Sequence, residues 1–411
     1  MKAIGDPHRA VERAASDSYG RLLAFLAARS RDLAASEDAL AGAFLAALET
    51  WPRTGVPDKP EAWLLTAARR KLIDGVRHAR VEADALPALA AAADEARRIA
   101  GAGEAFPDER LSMLFLCAHP AIDAAVRTPL MLQTVLGLDA ARIASAFLVK
   151  PATMGQRLSR AKAKIRDARI RFELPTPPAL RSRLDAVLEA IYAAYGVGWE
   201  EVAGGDRRRR GLALEAIELG RVLRRLMPDE PEALGLLALM LHCEARRDAR
   251  RSAAGTYVPL SEQDPARWSR PMIDEAEQIL REAARAGRPG RFQLEAAIQS
   301  VHAQRAATGT TDWVAAAALY EGLVRTAPTI GALVGRAAAV AEAEDASRGW
   351  GLLQEIASEG VEGYQPYWAL AAHLLVRLGR RVEAAAAYDR AIGLCGDPAA
   401  RDYLAKRRRL L

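Results

Sequence analysis

Apolar residues return at three- and four-residue steps along most of the chain, the period of helices that bury one face. In YGRLLAFLAARS (19–30) the stripe runs through Leu22, Leu23, Phe25 and Leu26. SEDALAGAFLAALETW (36–51) follows, with Ser36 in an N-cap position and acidic residues in the first turn. That helix is expected to stop at WPRTGVPDKP, whose prolines and Gly55 spell a loop. The next helix, EAWLLTAARRKLIDGVRHAR (61–80), sets Trp63, Leu64, Ala67, Ala68 and Leu72 on an apolar side, with Arg69, Arg70, Lys71, Arg77 and Arg80 among the rest. Residues 81–107 are rich in Ala and Gly and poor in large apolar side chains, and they read as a linker.

Large apolar residues return from Asp108 in DERLSMLFLCAHPAI. Asp139 can cap a short helix that packs Ile143, Ala144 and Phe147; Leu148 and Val149 fill a tight turn; a second helix opens with Pro151 in its first turn. Met154, Leu158, Ala161 and Ile165 give that second helix one apolar stripe. Two short helices, a tight turn and a basic second helix describe a helix-turn-helix. After the break ELPTPPALRS (173–182), more than half the chain remains and all of it has the helical period. Tyr320 in ALYEGLVRTAP and Tyr388 in AAYDRAIGLCGDP lie two ~34-residue periods apart, with LLQEIA (352–357) between them. Leu378-Gly379, Ala384, Tyr388, Ala391 and Pro398 have tetratricopeptide-like spacing. Stacked helical hairpins are the expected architecture of this half.

The patterns divide the chain into 1–82, a linker 83–107, 108–173, a short linker 174–185, and a helical C-terminal domain 186–411. The expected fold class is all-α: two small helical domains, the second a helix-turn-helix, and a tetratricopeptide-like α-solenoid. Composition agrees, because Ala and Leu dominate the 411 residues and aromatic residues make up only 6%. The three cysteines are far apart without a CxxC pair, which supports neither a disulfide framework nor a zinc ribbon. Cys117 and His119 could open a metal pair, but two ligands without further partners rarely make a site, so packing is the reading and no metal is expected. No phosphate loop, nucleophile elbow or HExxH motif occurs, so neither an enzyme nor a cofactor is expected. The N-terminus lacks an apolar signal core and no run approaches bilayer length; a soluble cytoplasmic protein with no membrane partner is expected.

Charge changes the picture more by its placement than by its total of +6. Between Lys150 and Arg171 the only carboxylate is Asp167, against Arg157, Arg160, Lys162, Lys164, Arg166 and Arg169. A self-paired surface helix alternates its signs, whereas this one is suited to an anion. With the basic helix at 61–80 it suggests two separate grips on nucleic acid. The runs Arg207–Arg210 and Lys406–Arg409 read as solvated surface in preference to further contacts.

At these residues the chain resembles the extracytoplasmic-function group of bacterial RNA polymerase sigma factors. SEDALAGAFLAAL is similar to that family's core-binding helix, and WLLTAARRKLIDGVRHAR to its −10 element helix. GLDAARIASAFLVKPATMGQRLSRAKAKI is similar to its −35 module, through Gly137, Leu138, Ile143, Ala144, Val149, Thr153, Met154, Arg157, Leu158, Arg160 and Ala161. The remainder resembles the subgroup that carries a tetratricopeptide-like extension. The resemblance implies core RNA polymerase and promoter DNA as partners, and a protein or intramolecular partner for the extension. It implies that Asp38, Phe44 and Leu45 face the polymerase. Trp63, Arg69, Arg70, Lys71 and Arg77 would serve the −10 element, with PRTGVPDKPEA receiving unpaired bases. Thr153, Gln156, Ser159 and Arg160 would reach the −35 groove, Arg160 being suited to a bidentate guanine contact, while Lys162 and Lys164 touch phosphates. Arg157 has two readings, a DNA contact or an ion pair within its own domain.

The chain departs from the family at Ala41 and Gly42, where Gln and Glu are common, at Arg142, where Glu is usual, and at Gly196-Val197-Gly198-Trp199, in place of Asn-Glu-Gly-Tyr. Two alternatives therefore stand beside a sigma factor: a helix-turn-helix regulator that binds DNA without polymerase, and an interaction scaffold built on the solenoid.

Overall fold

A computed structural model of the chain describes residues 6–79, 108–147, 149–199, 207–357 and 360–411, and among these it is all-helical apart from loops and one isolated bridge, Arg251 to Tyr257. The expected linker 83–107 lies outside the described residues. No helix among the described residues is long and apolar enough to cross a membrane. The chain forms two compact units, Met1–Ala194 and Tyr195–Leu411.

The first unit opens with α1 (Pro7–Ser30), whose residues from Leu22 to Ala27 are all buried. A helix buried on every side needs neighbours on every side. Here α2 (Leu33–Thr54) and α3 (Pro60–Ala79) flank it, together with α4 (Arg110–Cys117) and α5 (Ala124–Leu136). The start of α2 differs from expectation: Asp32 is the cap, accepting from the Ala35 N–H at 3.0 Å, and Ser36 lies inside the helix, fully buried. Its hydroxyl donates to the Asp32 carbonyl at 2.7 Å instead. At the other end α2 runs on through Pro52 to Thr54, so the loop narrows to residues 55–59. Gly55, at φ 84, ends the helix in a conformation that glycine adopts without strain.

Beyond α5, Gly137 at φ 64 closes the helix and turns the chain into α6 (Ala140–Ala146) and α7 (Pro151–Asp167). Asp139 accepts from the Arg142 N–H at 2.8 Å, and the Arg142 side chain pairs with it at 3.4 Å. This pair gives the unexpected Arg142 a local role. The stretch 174–185, expected as a linker, is mostly helix, because α8 spans Pro177–Trp199. Pro177 and Pro178 occupy the first turn, where a missing N–H costs nothing, so they start the helix instead of interrupting it. Leu180 and Leu184 are buried, and Arg183 donates to the Phe115 carbonyl at 3.1 Å.

In the second unit consecutive helices pack as neighbours: α9 (Arg207–Leu226), α10 (Pro231–Ala245), α11 (Arg270–Ala284), α12 (Arg291–Thr308), α13 (Trp313–Thr326), α14 (Ile330–Ala343), α15 (Ala346–Gln354), α16 (Gln365–Arg377), α17 (Arg381–Leu394) and α18 (Pro398–Arg409). The apolar run LGLLALML makes α10 its most buried helix, packed on α9, α11 and α12. Ion pairs Arg221–Glu275 and Arg224–Glu282 tie α9 to α11 at 2.9 and 2.7 Å. Tyr320 and Tyr388 occupy the same position in α13 and α17, as their spacing in the sequence suggests. The long connection after α10 reaches α18, through the Arg251–Asp397 pair at 2.5 Å and the Tyr257 ring set edge-on to Tyr403 at 5.6 Å.

Candidate nucleic-acid interface

The amphipathic period of α2 leaves one apolar stripe facing outward. Ala39, Leu40, Ala43, Ala47 and Trp51 are buried, while Asp38, Ala41, Leu45 and Leu48 are exposed, Leu45 to 58% and Leu48 to 37%. Within this helix Leu45 and Leu48 are large apolar side chains partly open to water. Phe44 belongs to another face: it is half-buried, and its ring stacks 6.5 Å from that of Tyr19. Gly42 has a structural reason, since a Cβ there would meet the Lys71 side chain, its Nζ at 2.7 Å. The glycine makes room for Lys71 to lie across α2.

On α3, Trp63 is half-buried and packs edge-to-face on Trp51 with centroids 5.6 Å apart. Arg70 and Lys71 are exposed and Arg69 is half-buried. The side chain of Arg77 lies outside the described residues. Glu61 accepts from Arg21 at 2.9 Å and from the Ser18 hydroxyl, which anchors the start of α3 on α1.

On α7 the buried stripe is Met154, Leu158, Ala161 and Ile165. Thr153, Gln156, Arg157, Ser159, Arg160 and Lys164 are exposed, and Thr153, Arg157, Arg160 and Lys164 fall on one face at helical spacing. Arg157 makes no ion pair among the described residues. Lys162 does not join this face. Its side chain, 12% exposed, pairs with Glu37 of α2. Glu37 also lies within 3.5 Å of the Tyr19 hydroxyl, and burial followed by this carboxylate pushes the Tyr19 phenol well above its ordinary pKa. Of the candidate residues, then, α7 gathers six on an open surface and sends the seventh to the first bundle.

Cys117 and His119 have packing roles. The thiol is fully buried beside the Thr134 hydroxyl at 3.6 Å, and burial pushes its pKa up to about 12. His119 accepts from the Ala121 N–H at 3.1 Å and closes a turn.

Sequence reasoning missed the seam between the two bundles of the first unit. A Cβ on Gly20 of α1 would stand 1.7 Å from the Val135 carbonyl oxygen of α5, and one on Gly137 would stand 2.9 Å from the Tyr19 ring. The available signal was Gly20 itself, a glycine inside an otherwise strong helical pattern, which often marks close approach of another backbone.

Comparison with known proteins adds to this geometry. Residues 16–81 match the sigma-70 region 2 family, and residues 183–284 match a family of unknown function (DUF6596). An uncharacterized protein of Rhizobium meliloti (strain 1021) is 39% identical over 400 residues, which cover 96% of this chain and 93% of that protein. No solved structure matches the chain.

Proposed function

The chain belongs to the same family as that Rhizobium meliloti protein, and on this premise we propose that it is an RNA polymerase sigma factor of the extracytoplasmic-function type. The observation that carries the reading is the region 2 match over the helices that hold the exposed Asp38, Leu45 and Leu48 stripe. Sigma-70 region 2 implies binding to core polymerase and promoter DNA. In this reading the stripe docks on polymerase, and burying its apolar atoms supplies the driving force. Arg70 and Lys71 of α3 hold phosphates near the −10 element. The helix-turn-helix α6–α7 enters the −35 major groove, where Arg160 and Gln156 read base edges and Lys164 meets phosphate. Neither grip is extensive alone; polymerase makes them simultaneous, so that affinity comes from their combination. The C-terminal unit regulates this activity through a protein or intramolecular partner, and the protein acts in the cytoplasm with the polymerase.

The test is binding of the purified chain to core polymerase, followed by run-off transcription from a library of −35/−10 promoters. Promoter-dependent transcript is expected, with relaxed −35 preference for the Gln156→Ala/Arg160→Ala variant; a lost bidentate contact costs about 1–3 kcal/mol of discrimination. Tight binding of duplex sites without polymerase would favour a regulator instead. Transcript that ignores the double substitution would remove α7 from −35 reading.

A further inference from the structure

In the second unit the chain leaves α10, makes a long connection and returns through Trp268 to α11. A cavity of about 10 Å³ lies where that connection packs on α10 and α12, lined by His242, Arg246, Trp268, Gln299 and His302 with apolar side chains around the rest. We propose that this cavity is the binding site of one ordered water molecule, which accepts from the Trp268 indole N–H, donates to His242, and so ties the connection to the helices beneath it. The proposal does not depend on the sigma reading.

Three observations carry it. The first is a set of buried polar atoms. Trp268 is 7% exposed and the His242 side chain 1%. Neither the indole Nε1 nor either imidazole nitrogen has a hydrogen-bond partner among the described residues. Groups this deep in a fold are nearly always bonded, because a donor or acceptor that loses water and gains nothing destabilises the folded state. The second is that the indole is held in place. The Arg305 guanidinium lies 5.1 Å from its ring centre and donates to the Leu260 and Ser261 carbonyls at 2.9 and 3.0 Å. The next backbone N–H, that of Ser269, donates to the Ala245 carbonyl at 2.7 Å.

The third is the match of size and chemistry. A cavity of about this volume holds one water when its walls are polar. Burial keeps His242 neutral, its pKa lowered to about 4, so the ring offers one donor and one acceptor. The Glu277 carboxylate, 3.6 Å from Nε2, favours the proton on that nitrogen and leaves Nδ1 to accept. The Gln299 side-chain carbonyl takes a bond from Arg246 at 2.5 Å and has a second lone pair to offer. One donor and two acceptors suit water, which both gives and takes hydrogen bonds. An anion would be repelled by the acceptors, and a cation by the indole N–H and the Arg246 guanidinium.

The test is a crystal structure of the full chain grown in bromide. An oxygen-sized peak within hydrogen-bond distance of Trp268 Nε1 and of a His242 ring nitrogen is expected. A cavity without density would overturn the proposal, and so would side chains that turn to bond the protein directly. Anomalous scattering from the cavity would also defeat it, since the occupant would then be an anion. Oxygen-17 magnetic relaxation dispersion gives a second reading in solution, because it counts waters held longer than the tumbling time of the molecule. His242→Leu/Trp268→Phe removes two of the three partners, leaving fewer than the two to four that hold a buried water. The count should fall by one, with far-UV circular dichroism unchanged. An unchanged count in the folded double variant would refute the site. Should that variant not fold, the wild-type crystal decides the matter.

Discussion

The outward stripe of α2 lends itself to a quantitative test. Truncating Leu45 and Leu48 to Ala removes three carbons from each side chain, and full burial of a carbon contributes about 0.8 kcal/mol. Only the part now in water can gain by docking, so the exposures of 58% and 37% set the scale. The expected losses are about 1.4 kcal/mol at Leu45 and about 0.9 kcal/mol at Leu48, if polymerase covers both completely. Together they weaken binding about fifty-fold, since about 1.4 kcal/mol is a factor of ten. By the same scale the parts already buried contribute to folding, so the urea melt should show losses of about 1.0 kcal/mol at Leu45 and about 1.5 kcal/mol at Leu48. The assay is a fluorescence titration of core polymerase with labelled full-length chain, beside a urea melt of each variant. Weakening of less than about threefold would refute the docking surface.

Three further outcomes concern the second unit. Gly235→Ala should lower its urea midpoint although Ala favours helices, because the new Cβ would lie 2.6 Å from the Gln293 backbone nitrogen; overpacking of this kind costs about 1–3 kcal/mol. Glu244 and Arg247 form a 2.7 Å pair with side chains only 5% and 6% exposed, so Glu244→Ala should destabilise by about 3–5 kcal/mol in the same melt. His242 and His302 are each lowered to a pKa of about 4, by burial first and by the charge of Arg246 next. Both rings bind protons more readily when unfolded, so stability is complete above pH ~6.5 and falls as pH drops towards 4, by up to about 3 kcal/mol per ring. A melt that is flat between pH 7 and 4.5 would refute this linkage.

The local features of the first unit were legible because they are written in short stretches of chain. The stripe Met154, Leu158, Ala161 and Ile165 fixes which face of α7 is buried, and the opposite residues follow from helical geometry alone. Asp139 and Pro151 mark their helix starts with the chemistry of unsatisfied N–H groups. Competing local signals were harder to read. Asp32 and Ser36 are both good caps, and Asp32 prevailed while Ser36, buried against Ser30, serves inside the helix. Pro177 and Pro178 looked like a break, and only the burial of Leu180 and Leu184 shows that they begin a helix.

What the sequence by itself determined is the helical class and the exposed basic face of α7, because each depends on periods within one element. Only the tertiary structure decided the fate of Lys162. Two residues from both Arg160 and Lys164, it lies on another side of the helix from them, but its partner Glu37 is remote in sequence. Gly20 and Gly42 carry the same lesson: each is a glycine within a helix, and each is a place where another element comes close. Contacts of that kind depend on how helices are brought together, and no period within a single helix records them.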